Sequence, residues 1–492
     1  MTASTPISVG KEVAKGTFWI YAASYGGKFF YFLSTLVLAR LLSQDDYGVV
    51  GYATVVISFL DVLSDLGIGP ALIYHKENPK TADTAFWLGM LIAAALYGLS
   101  WLVAPLAGWY FNDPRAIPII RTLALVFPIS AFSNIHNTLL KKNLGFRQKF
   151  LPDFIRSTSK GLLSIVLALL GLGPWSLILG QLLSTLLSTV VYWRVLPWWP
   201  ALHFDRVLAR SLLTYGLSIV GLNGLASLLT NVDYLFVGRF LGTIALGTYT
   251  MAFRIPDLLI SEFCLIISVV LFPVYVRVRD ESAEALNKAF LNTLRYIALV
   301  TIPMGLGLAL VARPFVLAFL TAKWMDAIPV IQSISIFSML FSLSLNTGSL
   351  YKAQGRVDVM VKLALVRLGL IIPAMFFVIH TFGTIASVGW AQAAVATVSG
   401  TLNLYVAART VGTDLLQVWK ALQPAALSGI VMALAVFALL TVTAAWPPVL
   451  QLLLAALSGG AVYTALLYWQ EQKLVLQLIH TLQSAWLRRG SA

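Results

Sequence analysis

The sequence predicts an all-α polytopic membrane protein of about fourteen transmembrane helices: two six-helix lobes related by a pseudo-twofold axis along the membrane normal, plus two additional C-terminal helices. Three observations predict it. Of 492 residues, 59% are hydrophobic and 11% charged, and the mean hydropathy is +0.84. A soluble domain carries about 25% charged residues, and no water-soluble surface can solvate this apolar excess. Apolar runs long enough to cross a bilayer recur along the whole chain, without the alternation of a barrel strand. Finally, two short stretches repeat in order along the chain.

The apolar runs fall near 16–39, 48–73, 84–110, 116–139, 150–171, 174–193 and 211–237, then near 243–275, 289–311, 327–350, 359–380, 383–407, 422–444 and 448–469. The tightest connection is at Gly171-Leu172-Gly173-Pro174, which must turn between two hydrophobic segments. Loops on the side of the N-terminus hold 22 Lys and Arg residues, and the opposite loops hold 5, which places both termini in the cytoplasm. The formal charge of +14 therefore belongs to topology and to anionic membrane lipid, and no nucleic-acid partner is expected. Met1 to Lys15 is polar and leads into the first run without a cleavage site, so no removable signal peptide is expected.

Between the sixth and seventh runs, Leu196-Pro197-Trp198-Trp199-Pro200 and the Arg-bearing stretch Ala201 to Leu213 read as an interfacial linker helix. The predicted organisation is an N-terminal lobe over 1–195, this linker over 196–213, and a C-terminal lobe over 214–408. An additional helix pair follows over 409–470, and then a cytoplasmic amphipathic tail over 471–492.

Ala39-Arg40-Leu41-Leu42, with Gly48 and Ala53, aligns with Gly238-Arg239-Phe240-Leu241, with Gly247 and Ala252, at an offset of 199. Ala116-Ile117-Pro118-Ile119-Ile120 aligns with Ala327-Ile328-Pro329-Val330-Ile331 at an offset of 211, as does Leu139-Leu140-Lys141 with Leu350-Tyr351-Lys352. Six spans separate the copies, an even number, so both copies run in the same sense through the membrane. Repeats of this kind are common in transporters, with the substrate near the midplane.

Ionisable residues inside spans are costly unless paired or hydrated, and so mark function. Lys28, Arg121, Arg254 and Arg367 are the candidate cargo-binding cations, suited to phosphate through point charge or bidentate hydrogen bonds. Asp61, Asp65, Asp233 and Asp257 are candidates for coupling or counter-charge. Each has a plainer reading. Arg254 and Asp257 are three apart and can neutralise each other, and Asp61 and Asp65 can serve Lys28. Arg121 can reach the outer surface, and Arg156, Lys160 and Glu262 can snorkel to the inner one. Tyr21, Tyr25, Asn223, Asn231 and Asn346 suit a sugar but equally serve as interhelical glue.

Catalytic and cofactor signals are scarce. Gly171 to Ser176 has the outline of a dinucleotide loop without a surrounding βαβ unit, and there is no P-loop. The five His residues show no metal-ligand spacing. Cys264 is the single cysteine, which excludes an intramolecular disulfide and a multi-Cys metal site, and its apolar setting makes it a packed side chain. Neither cofactor nor metal is expected.

Lys15-Gly16-Thr17-Phe18-Trp19, Ala39 to Ser43 with Asp46-Tyr47-Gly48, and Asp65 to Ile73 resemble the Wzx-type polysaccharide flippases. So does Asn231-Val232-Asp233-Tyr234 with Gly238 to Gly242 and Leu246-Gly247-Thr248-Tyr249. The likeness covers most of the chain and is closest to the colanic-acid-exporter-like branch of the multidrug/oligosaccharidyl-lipid/polysaccharide exporter superfamily. It implies two lobes around a central cavity and alternating access. The implied cargo is an undecaprenyl-diphosphate-linked oligosaccharide repeat unit, moved across the bacterial cytoplasmic (inner) membrane for exopolysaccharide, capsule or O-antigen. A polysaccharide polymerase and a chain-length regulator are the partners it implies.

Two other classes stand beside this one. A drug antiporter on the same fold would favour an acidic or aromatic cavity for cationic cargo. A membrane polymerase or ligase would carry a long outer loop with catalytic side chains, whereas the longest outer loop here is roughly Ala312 to Asp326.

Overall fold

The computed structural model describes residues 26, 27, 29–64, 72 and 79–472, and helix is the only regular structure among them. Eleven of these helices are long and apolar enough to cross a membrane, so the chain is a multi-pass membrane protein. Three further predicted spans fall on helices outside that set: Phe29–Leu41 is short, while Phe146–Leu169 and Glu262–Glu281 are not apolar enough. The reason is plain for Phe146–Leu169, whose first fifteen residues carry Arg147, Lys149, Asp153, Arg156 and Lys160.

The chain divides into two units, Met1–Thr250 and Met251–Ala492. In the first, α1 (Phe29–Leu41) leads to α2 (Gln44–Ser64). The start of α2 is fixed by reciprocal capping: Asp46 Oδ2 accepts from the Ser43 amide at 2.8 Å, and Asp46 N donates to Ser43 Oγ at 3.1 Å. Next come α3 (Pro79–Phe111) and α4 (Ala116–Lys142), which is interrupted at Ala124-Leu125 upstream of Pro128, where an intrahelical donor is missing. Then α5 (Phe146–Leu169) and α6 (Trp175–Val195) meet at the expected tight turn, where Gly171 and Gly173 take φ of 81° and 52°, values that favour glycine.

The segment read as an interfacial linker helix is irregular as far as Asp205. Its remainder forms the first turns of α7 (Arg206–Phe240), capped by Asp205 accepting from Val207 N and Leu208 N. The irregular part is pinned to α3: Trp87 Nε1 donates to Ala201 O at 2.9 Å, and Ala201 N donates to Asp83 Oδ1 at 3.0 Å. Trp198 packs edge-on against Phe86 and beside His136.

The unit boundary falls within α8 (Gly242–Pro256), between Thr250 and Met251. A π-helical turn, Asp257–Ser261, follows Pro256 and leads into α9 (Glu262–Glu281). After it come α10 (Ala283–Phe315), α11 (Ile328–Leu345), α12 (Thr347–Ala353), α13 (Val357–Phe382) and α14 (Ile385–Thr410). The core of the second unit is built around Tyr275, Phe290, Ile297 and Tyr351, and takes in Cys264, which is fully buried as expected. The last pair, α15 (Leu415–Val442) and α16 (Pro448–Gln470), packs on α10. Tyr463 Oη donates to Leu299 O at 2.9 Å, and Arg295 pairs with Glu471.

At one end of the first unit, the loop between α3 and α4 is tied by charge. Arg115 bonds Asp45 Oδ2 at 2.5 Å and Asp113 Oδ2 at 2.8 Å, and Asp113 Oδ2 also accepts from Thr243 Oγ1 at 3.2 Å. Burial alone would raise the Asp113 pKa, but its bonds from Arg115 outweigh that and hold it below the usual carboxylate value. A carboxylate whose pKa is lower folded than unfolded stabilises fully above the unfolded value and loses that contribution as pH falls through the folded one. Thermal stability in detergent is therefore expected to lose an Asp113-dependent increment on acidification below roughly pH 4. In Asp113→Asn that increment should be absent, and a parallel acid profile for the two proteins would contradict the assignment.

Candidate functional site

A cavity of about 640 Å³ opens in the first unit, and the described residues that line it belong to α2, α3, α4, α5 and α6. Its lining is polar for a membrane-spanning bundle. α4 contributes Ser130, Asn134, Asn137, Thr138 and Lys141, spaced so that one helix face carries the whole stripe. α2 contributes Thr54, Ser58, Asp61 and Ser64, α5 contributes Arg156, and α6 contributes Gln181. Several hydroxyls are satisfied locally: Ser58 Oγ donates to Val55 O at 2.7 Å, Thr138 Oγ1 to Asn134 O at 2.9 Å, and Ser64 Oγ to Asp61 Oδ1 at 2.6 Å. Asn137 Oδ1 and Gln181 Oε1 are different. Both are buried and accept no hydrogen bond. Among the described residues of this lining, two cations, Lys141 and Arg156, stand against one carboxylate, Asp61, a net positive set.

Of the eight residues singled out by depth and charge, Asp61 is on this lining. Lys28 and Asp65 lie outside the described residues. Arg121, on α4, holds its guanidinium 4.4 Å from the Trp101 ring. Asp233 is buried on α7, accepting from Tyr249 Oη at 2.7 Å and from the Tyr234 amide at 3.0 Å. In the second unit, Arg254 and Asp257 flank the junction of α8 with the π-helical turn, a distortion often found at functional sites. Arg367 lies over Phe341 at 4.7 Å and Phe337 at 5.7 Å.

Lys141 read as a topology charge and Arg156 as a snorkelling one, while Asn137 and Gln181 drew no attention. The available signal was the polar stripe at helical spacing within an apolar span.

The repeat explains why the cavity is where it is. At the offset of 211, Arg156 corresponds to Arg367, Gln181 to Gln392, Val126 to Phe337 and Ser130 to Phe341. At the offset of 199, Thr54 corresponds to Phe253. Three small residues on the cavity wall thus become three phenylalanines in the second unit. Their rings pack together, Phe253 on Phe337 at 6.0 Å and Phe337 on Phe341 at 5.5 Å, and Arg367 is stacked on the latter two. Where the first unit has a polar cavity wall, the second has an aromatic cluster.

The fold is shared with solved transporters of the multidrug and flippase class. The lipid II flippase MurJ in an inward closed conformation superimposes with a TM-score of 0.76 at 16% identity, over 92% of this chain and 99% of that one. An inward-facing multidrug resistance MATE family transporter of the MOP superfamily gives 0.66 at 17% identity, over 78% of this chain and 94% of the other. Residues 37–329 match a family of polysaccharide biosynthesis proteins, and the chain belongs to that family. Among named relatives, the lipopolysaccharide biosynthesis protein WzxC of Escherichia coli is 29% identical over 69% of each chain. The succinoglycan biosynthesis transport protein ExoT of Rhizobium meliloti is 25% identical over 96% of each. The teichuronic acid biosynthesis protein TuaB of Bacillus subtilis is 24% identical over 83% of this chain and 85% of its own.

Proposed function

We propose that this protein is a flippase that moves undecaprenyl-diphosphate-linked oligosaccharide repeat units from the inner to the outer leaflet of the cytoplasmic membrane. It does so by alternating access, for exopolysaccharide, capsule or O-antigen synthesis. The observation that carries this reading is the net positive polar cavity inside a membrane-spanning unit of a polysaccharide biosynthesis protein. Lipid does not need such a cavity, and a sugar headed by phosphate does. Lys141 and Arg156 are assigned to the anionic end of the cargo, and the amides and hydroxyls of α2, α4 and α6 to the sugars.

Lys28, Arg254 and Arg121 remain candidate cations along the cargo path, Arg121 with its guanidinium on an aromatic face, while Arg367, stacked on two rings, is assigned to packing. Asp233, buried and hydrogen-bonded, leads the coupling candidates ahead of Asp61, Asp65 and Asp257. Both termini are assigned to the cytoplasm, the chain to six-helix lobes over 1–195 and 214–408, and a polymerase and a chain-length regulator to the cargo's next steps.

Deleting the gene and measuring lipid-linked oligosaccharides together with surface polysaccharide tests the proposal. Assembled repeats should accumulate on the inner leaflet while polymer is lost. Normal glycan with raised sensitivity to cationic drugs would replace the reading with an antiporter. Repeats that reach the outer leaflet unpolymerised would replace it with an enzyme.

A further inference from the structure

Polar space opens in the first unit at positions whose equivalents in the second unit carry the packed rings of Phe253, Phe337 and Phe341. The hollow has the size of a small-molecule site, roughly 300–1,000 Å³, and so takes a short stretch of glycan. The buried, unpaired carbonyl oxygens of Asn137 and Gln181 stand on two different walls, α4 and α6. A buried polar atom without a partner is costly, so these two lining side chains gain by turning their amides toward hydrogen-bond donors of a ligand in the cavity. Gln392, the repeat partner of Gln181, is more deeply buried and its Oε1 is likewise unpaired. An orphan oxygen at this position is therefore not itself the signal. What singles out Gln181 is the polar cavity in front of it.

We infer that the first unit's cavity is the glycan-reading site, in which Asn137 and Gln181 accept hydrogen bonds from sugar hydroxyls and so determine specificity. The Phe253, Phe337 and Phe341 cluster closes the same place in the second unit to sugar. The two copies have thereby divided their work. This rests on the flippase reading and goes beyond it by naming the residues and the chemical class they select, a neutral polyhydroxylated stretch of glycan.

The test is complementation of the deletion strain at matched membrane abundance, reading surface polysaccharide and trapped lipid-linked repeats, with thermal melts of each purified variant. Asn137→Leu and Gln181→Leu should each lower export about threefold to tenfold, the loss of one hydrogen bond. Their melting temperatures should stay level or rise, because a buried unpaired group has been removed. Gln392→Leu, which removes the same amide from the filled copy, should leave export unchanged. Val126→Phe with Ser130→Phe, which imports the aromatic filling, should abolish export.

Normal export in both Asn137→Leu and Gln181→Leu would overturn the inference, as would losses that merely follow a falling melting temperature. Equal loss of export in Gln392→Leu would overturn the division between copies. If the deletion strain traps no lipid-linked repeat, the flippase reading itself has failed, which these variants cannot imitate.

Discussion

Gly247→Ala and Gly48→Ala are each expected to prevent accumulation of folded protein. A Cβ at Gly247 would overlap the Gln44 carbonyl oxygen and sit 2.8 Å from the Gly48 amide nitrogen. A Cβ at Gly48 would overlap the Thr243 carbonyl oxygen and lie 2.7 Å from Thr243 Cγ2. The obstacles are mostly backbone at the first turns of α2 and α8, so no side-chain rotation relieves them. The cost should exceed the roughly 1–3 kcal/mol of ordinary overpacking.

Gly48 and Gly247 are equivalent at the offset of 199, and so are Gln44 and Thr243. Each glycine therefore meets the other copy's equivalent carbonyl, the reciprocal pattern of a twofold interface. The repeat seen in the sequence is thus also a physical contact. Gly98→Ala is the control: nothing lies within 4 Å of a Cβ there, and alanine should be neutral or stabilising by about 0.5–1 kcal/mol. Detergent extraction followed by size-exclusion chromatography and a thermal melt checks all three. A wild-type melt for Gly247→Ala would show that this contact does not hold the fold.

Arg156→Ala and Arg367→Ala are expected to fail in opposite ways, although the two arginines are repeat equivalents. Arg156 stands exposed on the cavity lining. Its removal should lower export about tenfold to a hundredfold, the range for a charge-assisted hydrogen bond of about 1.5–3 kcal/mol, with an unchanged melting temperature. Arg367 covers two phenylalanine rings with its guanidinium. Its removal should cost about 1–2 kcal/mol of stability through lost cation–π and stem packing, with export falling only as abundance falls. The sequence alone makes Arg367 a cargo cation. Loss of export at full abundance in Arg367→Ala would restore that role.

Much of the fold was legible because hydrophobicity over a span is a long-range average that single residues barely disturb. The positions of α2 to α4, the turn at Gly171 and Gly173, the buried Cys264 and the added pair α15 and α16 all follow from it. The linker was less legible. The aromatic run and Arg-bearing stretch resemble an interfacial helix, but Pro197 and Pro200 withhold donors, and Asp205 sets the helix start four residues after Ala201. Depth in a span distinguishes charges that are costly from charges that are cheap. It does not distinguish a cavity from an aromatic face. Arg367 illustrates this, since Phe337 and Phe341 belong to another helix, α11, and meet it only in the folded unit. Arg156 and Lys141 were discounted because they sit near the inner ends of their helices. Their significance depends on Val126, Ser130 and Thr54 being small, which is visible only once the copies are compared position by position.

A flippase must produce net movement of a lipid-linked glycan between leaflets. It is tested most directly with the purified protein in liposomes carrying undecaprenyl-diphosphate-linked oligosaccharide, by following how much of that lipid a membrane-impermeant glycan-modifying reagent can reach. Accessibility should rise from the outer-leaflet share to nearly the whole pool, and Val126→Phe with Ser130→Phe should hold it at the outer-leaflet share. Accessibility that stays at that share with the wild-type protein, under an imposed membrane potential or ion gradient as well as without one, would contradict it.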